Sequence, residues 1–309
     1  MKDMQVSFWR HEPVLDQTAL GLAEATLRFH EAVGGDWVKL TPAGTYQATA
    51  LGLRDEWQGD ALGRRAVVHR PVAVPSDWLK LSAAPLGQHE HHNLDAVAWL
   101  RKRLPSEVPL VATVFSPVSQ ALQLAGAEPL VAHARNEREY LEAGLACLSA
   151  RTEALAKAFF EAGVNGIYYV SQHHQQGVLP EAPLHLLEWT WDEPALKAAS
   201  KSPFNAVHLH GAPLVKHCPA PPSGMGVHCE WGAEQRRSPI EAVGAIRWLG
   251  IPLASLQSAQ STADCRATFK QFEGATPSRA CMVTASCVLP LAFDLNKARM
   301  WVQALRQST

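Results

Sequence analysis

The chain has 309 residues, 28 of them basic and 29 acidic, with a formal net charge of −1. It has no basic surplus with which to grip a polyanion, so nucleic-acid binding is not expected. Hydrophobic residues make up 47%, ample for a large core, yet no apolar run reaches the roughly 18 residues that cross a bilayer.

The first apolar run is VSFW, 6–9. The preceding and following residues, MKDMQVSFWRHEP, lack the continuous apolar stretch of a secretory signal. DQTALGLAEATLRFHEAV spaces its apolar residues at three and four and reads as a helix, with Asp16 as N-cap. DWVKL, 36–40, is the second strand. From 41 to 108 no strand is evident, and LGQHEHHNLD reads as a surface loop before a helix. PLVATVF, 109–115, is the third strand, and LEAGLACLSARTEALAKAFFEAG is a long helix closed by Gly163. Three strands follow: GIYYVS at 166–171, NAVHLH at 205–210 and GVHCEW at 226–231. SPIEAVGAIRWLG opens with Ser238 and Pro239 in cap order and reads as a helix ending at Gly250. IPLASL, 251–256, and CMVTAS, 281–286, complete eight strands.

Strands that alternate with helices and read as unbroken apolar runs imply parallel βαβ units. Eight of them imply an α/β fold, a single (β/α)8 TIM barrel over 1–309, with its active-site cleft at the C-terminal ends of the strands. That rule selects Arg10, Lys39, Phe115, Gln172, His208, His210, Trp231 and Cys287, with His173 beside the fourth strand end. Lys39, Phe115, Gln172, His173 and Trp231 are candidate substrate contacts.

Side chains alternate along a strand, so His208 and His210 share one face. If that face is the interior, both imidazoles converge on the mouth, where Cys287 also ends the eighth strand. Two histidines and a thiolate with an open fourth position suit catalytic zinc. Zinc there would hold a substrate sulfur or a water and lower its pKa. HxH is also a short pattern, and two histidines at a barrel mouth can bind an anionic substrate or satisfy each other. Both readings stand. The six cysteines include no CxxC pair and read as free thiols in a reducing, cytoplasmic setting. No glycine-rich phosphate loop follows a strand, so nucleotide binding has no support.

VPLVATVFSPVSQALQLAG, EAGVNGIYYVSQ, DWVKLTPAGTYQATALG, HLHG and SCVLP with the later Asn296 together resemble the uroporphyrinogen decarboxylase superfamily. The likeness runs in order from Trp9 to about Asn296 and implies one barrel with a deep cleft. Decarboxylases of this family need no metal. They grip substrate propionates with an arginine-rich N-terminal motif and hold the pyrroles with an aspartate. Here Arg10 matches one of those arginines, the glycine and second arginine are missing, and Asp36 falls at the aspartate's place. Relatives that move methyl groups between corrinoid proteins and thiols hold zinc through an HxC pair and a later cysteine. His208 matches that histidine, His210 replaces the first cysteine and Cys287 matches the second. LQSAQSTADCRATFKQF lacks the glycine-rich turn common to both branches.

The resemblance implies a zinc-dependent, methyltransferase-like enzyme. A methyl group would pass between a corrinoid or methylated small molecule and a thiol or hydroxyl acceptor. A corrinoid-binding protein would be the partner, and a homodimer is in keeping with the family. The alternative is metal-independent decarboxylation of uroporphyrinogen or a related pyrrolic acid, with Arg10 and Asp36 as catalytic residues. A second alternative is a small-molecule-binding barrel without chemistry.

Overall fold

A computed structural model describes residues 4–306, except 84, 181, 200–201, 217, 223–224, 231–246 and 274–280. Eight strands form one curled parallel sheet: β1 (Met4–Val6), β2 (Val38–Lys39), β5 (Leu110–Phe115), β6 (Gly166–Ser171), β7 (Ala206–Leu209), β8 (Gly226–Glu230), β9 (Arg247–Ile251) and β10 (Cys281–Ala285). Their order is β1-β10-β9-β8-β7-β6-β5-β2. The remaining two strands, β3 (Arg54–Glu56) and β4 (Ala66–His69), pair antiparallel as a separate hairpin. Helices on the outside include α1 (Ala19–Val33), α3 (Gln88–Arg101), α6 (Arg138–Ala162) and α10 (Leu295–Arg306). This is the expected TIM-barrel-like α/β fold. No helix among the described residues is long and apolar enough to cross a membrane.

Among the described residues no ladder joins β1 to β2, and one backbone hydrogen bond with two side chains closes that seam. The Asp36 amide donates to the Val6 carbonyl at 2.8 Å, and the Val6 amide donates to Asp36 Oδ2 at 2.8 Å. The Ser7 hydroxyl donates to the Trp37 carbonyl at 2.6 Å. Asp36 Oδ1 accepts from Arg306 Nε at 2.9 Å, which ties the last turn of α10 to the same point.

The barrel interior is filled in layers, as a closed barrel requires. Trp37 on β2 and Trp248 on β9 meet edge to face at 4.8 Å, and Trp9 lies 5.4 Å from Trp37. Two residues further along their strands, the next layer follows, with Lys39 above Trp37. Tyr168, His208 and His228 occupy this layer on β6, β7 and β8. Val170 is registered with His208, and His208 with His228. Gly250 on β9 completes it: a Cβ there would lie 2.4 Å from the Cys229 carbonyl oxygen and 2.9 Å from His228 Nε2. Gly250→Ala is therefore expected to lower stability by about 2 kcal/mol through overpacking, read from the urea midpoint at unchanged slope.

Four details depart from the sequence reading. The seventh barrel strand is RWLGI, 247–251, and not IPLASL; Leu253–Ser258 is a helix (α8). Pro252 has no N–H to give a ladder and instead precedes that helix, a place proline tolerates. The expected helix 238–250 thus ends as strand, and its residues 238–246 lie outside the described ones. The N-cap of α1 is Thr18, whose hydroxyl accepts from the Gly21 amide at 3.1 Å, while Asp16 sits in a preceding 3-10 turn. The segment 41–108 carries the β3–β4 hairpin. HEHH is the first turn of α3, not a loop: Glu90 accepts from the Gly87 amide and pairs with Arg151 of α6 at 2.5 Å, both side chains being nearly fully buried. Gly163 does close α6 in the left-handed region, with φ 105°.

Candidate metal centre at the barrel mouth

His208 points inward from β7, and His210 continues that strand by donating its amide to the Ser171 carbonyl at 2.9 Å. Cys287 stands two residues past β10; the next amides hold this segment in place, Ser286 N–H on Ile251 and Leu289 N–H on Trp9, each at 2.9 Å. Two strands, β8 and β9, separate β7 from β10 around the sheet, so the three side chains meet across the lumen. His208 Nε2 lies 3.3 Å from His210 Nδ1, and His210 Nδ1 lies 3.5 Å from Cys287 Sγ. One ligand atom from each residue lies within 4.8 Å of the other two.

These separations can be set against the metal that suits the donors. Zinc–nitrogen bonds of about 2.0–2.1 Å and a zinc–sulfur bond of about 2.3 Å, at the tetrahedral angle, place neighbouring ligand atoms about 3.3–3.6 Å apart. Two edges of the group already have that length. Two histidines and one cysteine leave the fourth vertex free, the arrangement of catalytic rather than structural zinc. The donor set and its geometry fit the ion.

Metal binding requires thiolate and neutral imidazole, and the electrostatics favour these forms for His208 and Cys287. Burial drives the His208 pKa well below its usual value, and the charges of His228, His210 and Lys39 lower it further. Burial also opposes a charged His210, but its hydrogen bond to Cys287 and that thiol's charge outweigh burial and leave its pKa raised. For Cys287 burial pushes up, and His210, the Val288 amide and Lys39 bring it below the ordinary thiol value. The pair is set to yield a thiolate.

Second-layer residues hold the His208 ring. It stacks on Tyr168 at 5.0 Å and on His228 at 4.6 Å. His228 Nε2 donates to the Ala285 carbonyl at 3.1 Å, so its Nδ1 accepts from the Tyr168 hydroxyl at 2.5 Å. Burial keeps His228 neutral, with its pKa near 3, and Tyr168 protonated. No partner meets His208 Nδ1 at full hydrogen-bond geometry among the described residues, and the His228 backbone supports its proton weakly. Gly211 has φ 78°, and a Cβ there would lie 2.3 Å from Gln175 Cδ. Its missing side chain makes room for Gln175 in the turn after His210, rather than for the histidines.

The other residues selected from the sequence fall into three places. Lys39 lies in the same interior layer as His208, 4.9 Å above the Trp9 ring and 4.6 Å from that of Tyr168. Phe115, Gln172 and His173 gather at the ends of β5 and β6. There the Gln172 amide donates to Ser119 Oγ at 2.8 Å, His173 Nδ1 lies 3.1 Å from Ser171 Oγ, and Phe115 packs on Tyr46. Their side chains make no hydrogen bond to the trio among the described residues. Arg10 is held by Glu12 at 2.8 Å and by the Leu291 carbonyl at 3.1 Å. Asp36 is not at the mouth. It precedes β2 at the opposite end of the barrel, with both oxygens committed to the seam. In the structure its oxygens hold the β1–β2 seam, away from His208, His210 and Cys287. Trp231 lies outside the described residues. The sequence reading missed Tyr168 and His228; the period-two signal that selected His208 would have placed both on the inner face.

The sequence profile of uroporphyrinogen decarboxylase matches residues 12–184, more than half of the chain. The match stops before His208, so the part of the chain that carries His208, His210 and Cys287 lies beyond it. No curated protein matches significantly. Among solved structures, a methyltransferase from Methanosarcina mazei superposes with a TM-score of 0.73 at 18% identity, over 96% of this chain and 87% of that one. A putative vitamin-B12-independent methionine synthase from Listeria monocytogenes gives 0.61 at 14%, over 99% and 96%. A B12-independent methionine synthase from Shewanella sp. W3-18-1 gives 0.58 at 13%, over 98% and 93%. At these identities the likeness establishes a shared fold.

Proposed function

Because the chain belongs to the uroporphyrinogen decarboxylase family, we propose that it is a zinc-dependent enzyme that transfers a methyl group from a corrinoid or methylated small molecule to a thiol or hydroxyl acceptor. The observation that carries this is the meeting of His208, His210 and Cys287, with ligand atoms within 4.8 Å of one another and two of the three separations at tetrahedral edge length. The names of the neighbouring folds, a methyltransferase and two methionine synthases, agree with it.

His208, His210 and Cys287 would hold the ion. Zinc bound there supplies a Lewis acid that lowers the pKa of an acceptor at the fourth position. The chain's own groups prepare the site. Cys287 gives up its proton readily because His210 accepts a hydrogen bond from the thiol and carries charge beside the thiolate. Tyr168 and His228 fix the plane of the His208 ring. Trp9, Trp37 and Trp248 form a dry floor that keeps bulk water from below. The methyl donor would arrive at the open mouth, either as a small molecule or on a corrinoid-binding partner protein.

Metal-independent decarboxylation asks for a free aspartate and several cations at the mouth. Asp36 sits elsewhere, and Arg10 is already paired. The direct test offers the purified protein methylcobalamin and 2-mercaptoethanol. The expected result is loss of the methylcobalamin spectrum that needs both thiol and protein and stops on chelation. Chelator-resistant loss of carboxyl groups from uroporphyrinogen, with no demethylation, would overturn the proposal.

A further inference from the structure

Lys39 is a buried lysine with no carboxylate partner among the described residues. The residue is 5% exposed. Its ammonium lies over the Trp9 and Tyr168 rings and, among the described residues, donates one hydrogen bond, to the Thr41 hydroxyl at 3.3 Å. Among the described residues no carboxylate lies within ion-pair distance of it. The groups that sense its charge are three neutral imidazoles, His11, His208 and His228, and the Cys287 thiol. Burial brings its own pKa down to about 7, with Cys287 alone opposing. A buried ammonium without a counter-ion is costly, and cation–π contacts return only part of that cost. Two of its three protons remain to be taken.

We propose that Lys39 is the anion-binding residue of the active site, receiving the carboxylate of an acidic thiol whose sulfur sits at the metal vertex. This rests on the metal-centre reading above. Tyr168 touches both Lys39 and His208, so the cation and the metal ligands share a wall. Trp9, on whose ring the ammonium rests, also takes the Leu289 amide on its carbonyl, two residues past Cys287.

The test compares 3-mercaptopropionate with its neutral counterpart 3-mercaptopropan-1-ol by calorimetry on the zinc-loaded protein. One charge-assisted contact predicts a preference for the acid of about tenfold to a hundredfold in Kd. Lys39→Met keeps the apolar stem and is expected to abolish the preference while leaving zinc content and the affinity for the alcohol unchanged. Lys39→Arg is expected to keep most of it. Equal binding of the two thiols to wild type, or a preference that survives in Lys39→Met, overturns the inference. Loss of zinc from Lys39→Met also overturns it, because the ammonium would then serve the Cys287 charge instead. Wild-type protein that holds no zinc sinks the metal reading itself, and with it this inference.

Discussion

Replacing Cys287 by alanine is expected to strip the protein of its metal. Cys287 is the one anionic donor of the trio, and without it a divalent cation would face two neutral imidazoles and the nearby Lys39 charge. Changes to residues that merely support zinc ligands cost 10–100-fold in metal affinity, so loss of a ligand should cost more than about 100-fold. Protein dialysed against metal-free buffer should carry about one zinc per chain in the wild type, as three-ligand sites do, and almost none in the variant, measured by plasma emission spectrometry. Circular dichroism should be unchanged, because Cys287 is half-buried and lies outside the strand ladder. Cys147→Ala, a half-buried thiol on α6, is the control and should keep its zinc. Equal zinc in Cys287→Ala and wild type would remove Cys287 from the ligand set.

Asp36→Ala should behave in the opposite way, as a stability variant with its chemistry intact. The substitution leaves the Val6 amide without its acceptor and releases Arg306 from the seam. A buried N–H deprived of a charged acceptor costs about 1.5–3 kcal/mol. The Arg306 contact adds little, because that side chain is 42% exposed. A loss of about 3 kcal/mol in urea unfolding is expected, with zinc content and turnover per folded molecule retained. Were Asp36 instead to hold a pyrrolic substrate, turnover would fall and the unfolding midpoint would stay. The same variant therefore separates the two chemistries known in the family.

Much of the barrel was legible because parallel strands buried on both faces must be apolar throughout. PLVATVF and GIYYVS became β5 and β6 almost residue for residue. The clustering of His208, His210 and Cys287 was legible for a related reason. Barrel order puts strand ends on a single rim, and period-two alternation puts His208 and His210 on one face. Where the reading failed, a local contact competed with the pattern. RWLGI lies at the end of a stretch with helical spacing, and its assignment to β9 depends on Trp248 and Gly250 packing inside the barrel, which no local pattern announces. HEHH looked like a solvated loop because its charge density hides Glu90's partner, Arg151, 61 residues away. Asp36 matched a family position by alignment, but the atoms that claim its oxygens come from Val6 and Arg306, at opposite ends of the chain.

The circumference of the barrel is thus uneven. Among the described residues seven of its joints are backbone ladders, and the eighth, between β1 and β2, is a latch of one backbone hydrogen bond, one carboxylate and one hydroxyl. Trp9 and Lys39 rise from the two banks of that latch, and Cys287 borders it from β10. The joint that yields most easily is therefore the one beneath the cation and the thiol, so a molecule too wide for the entrance would have to part the cylinder along this line.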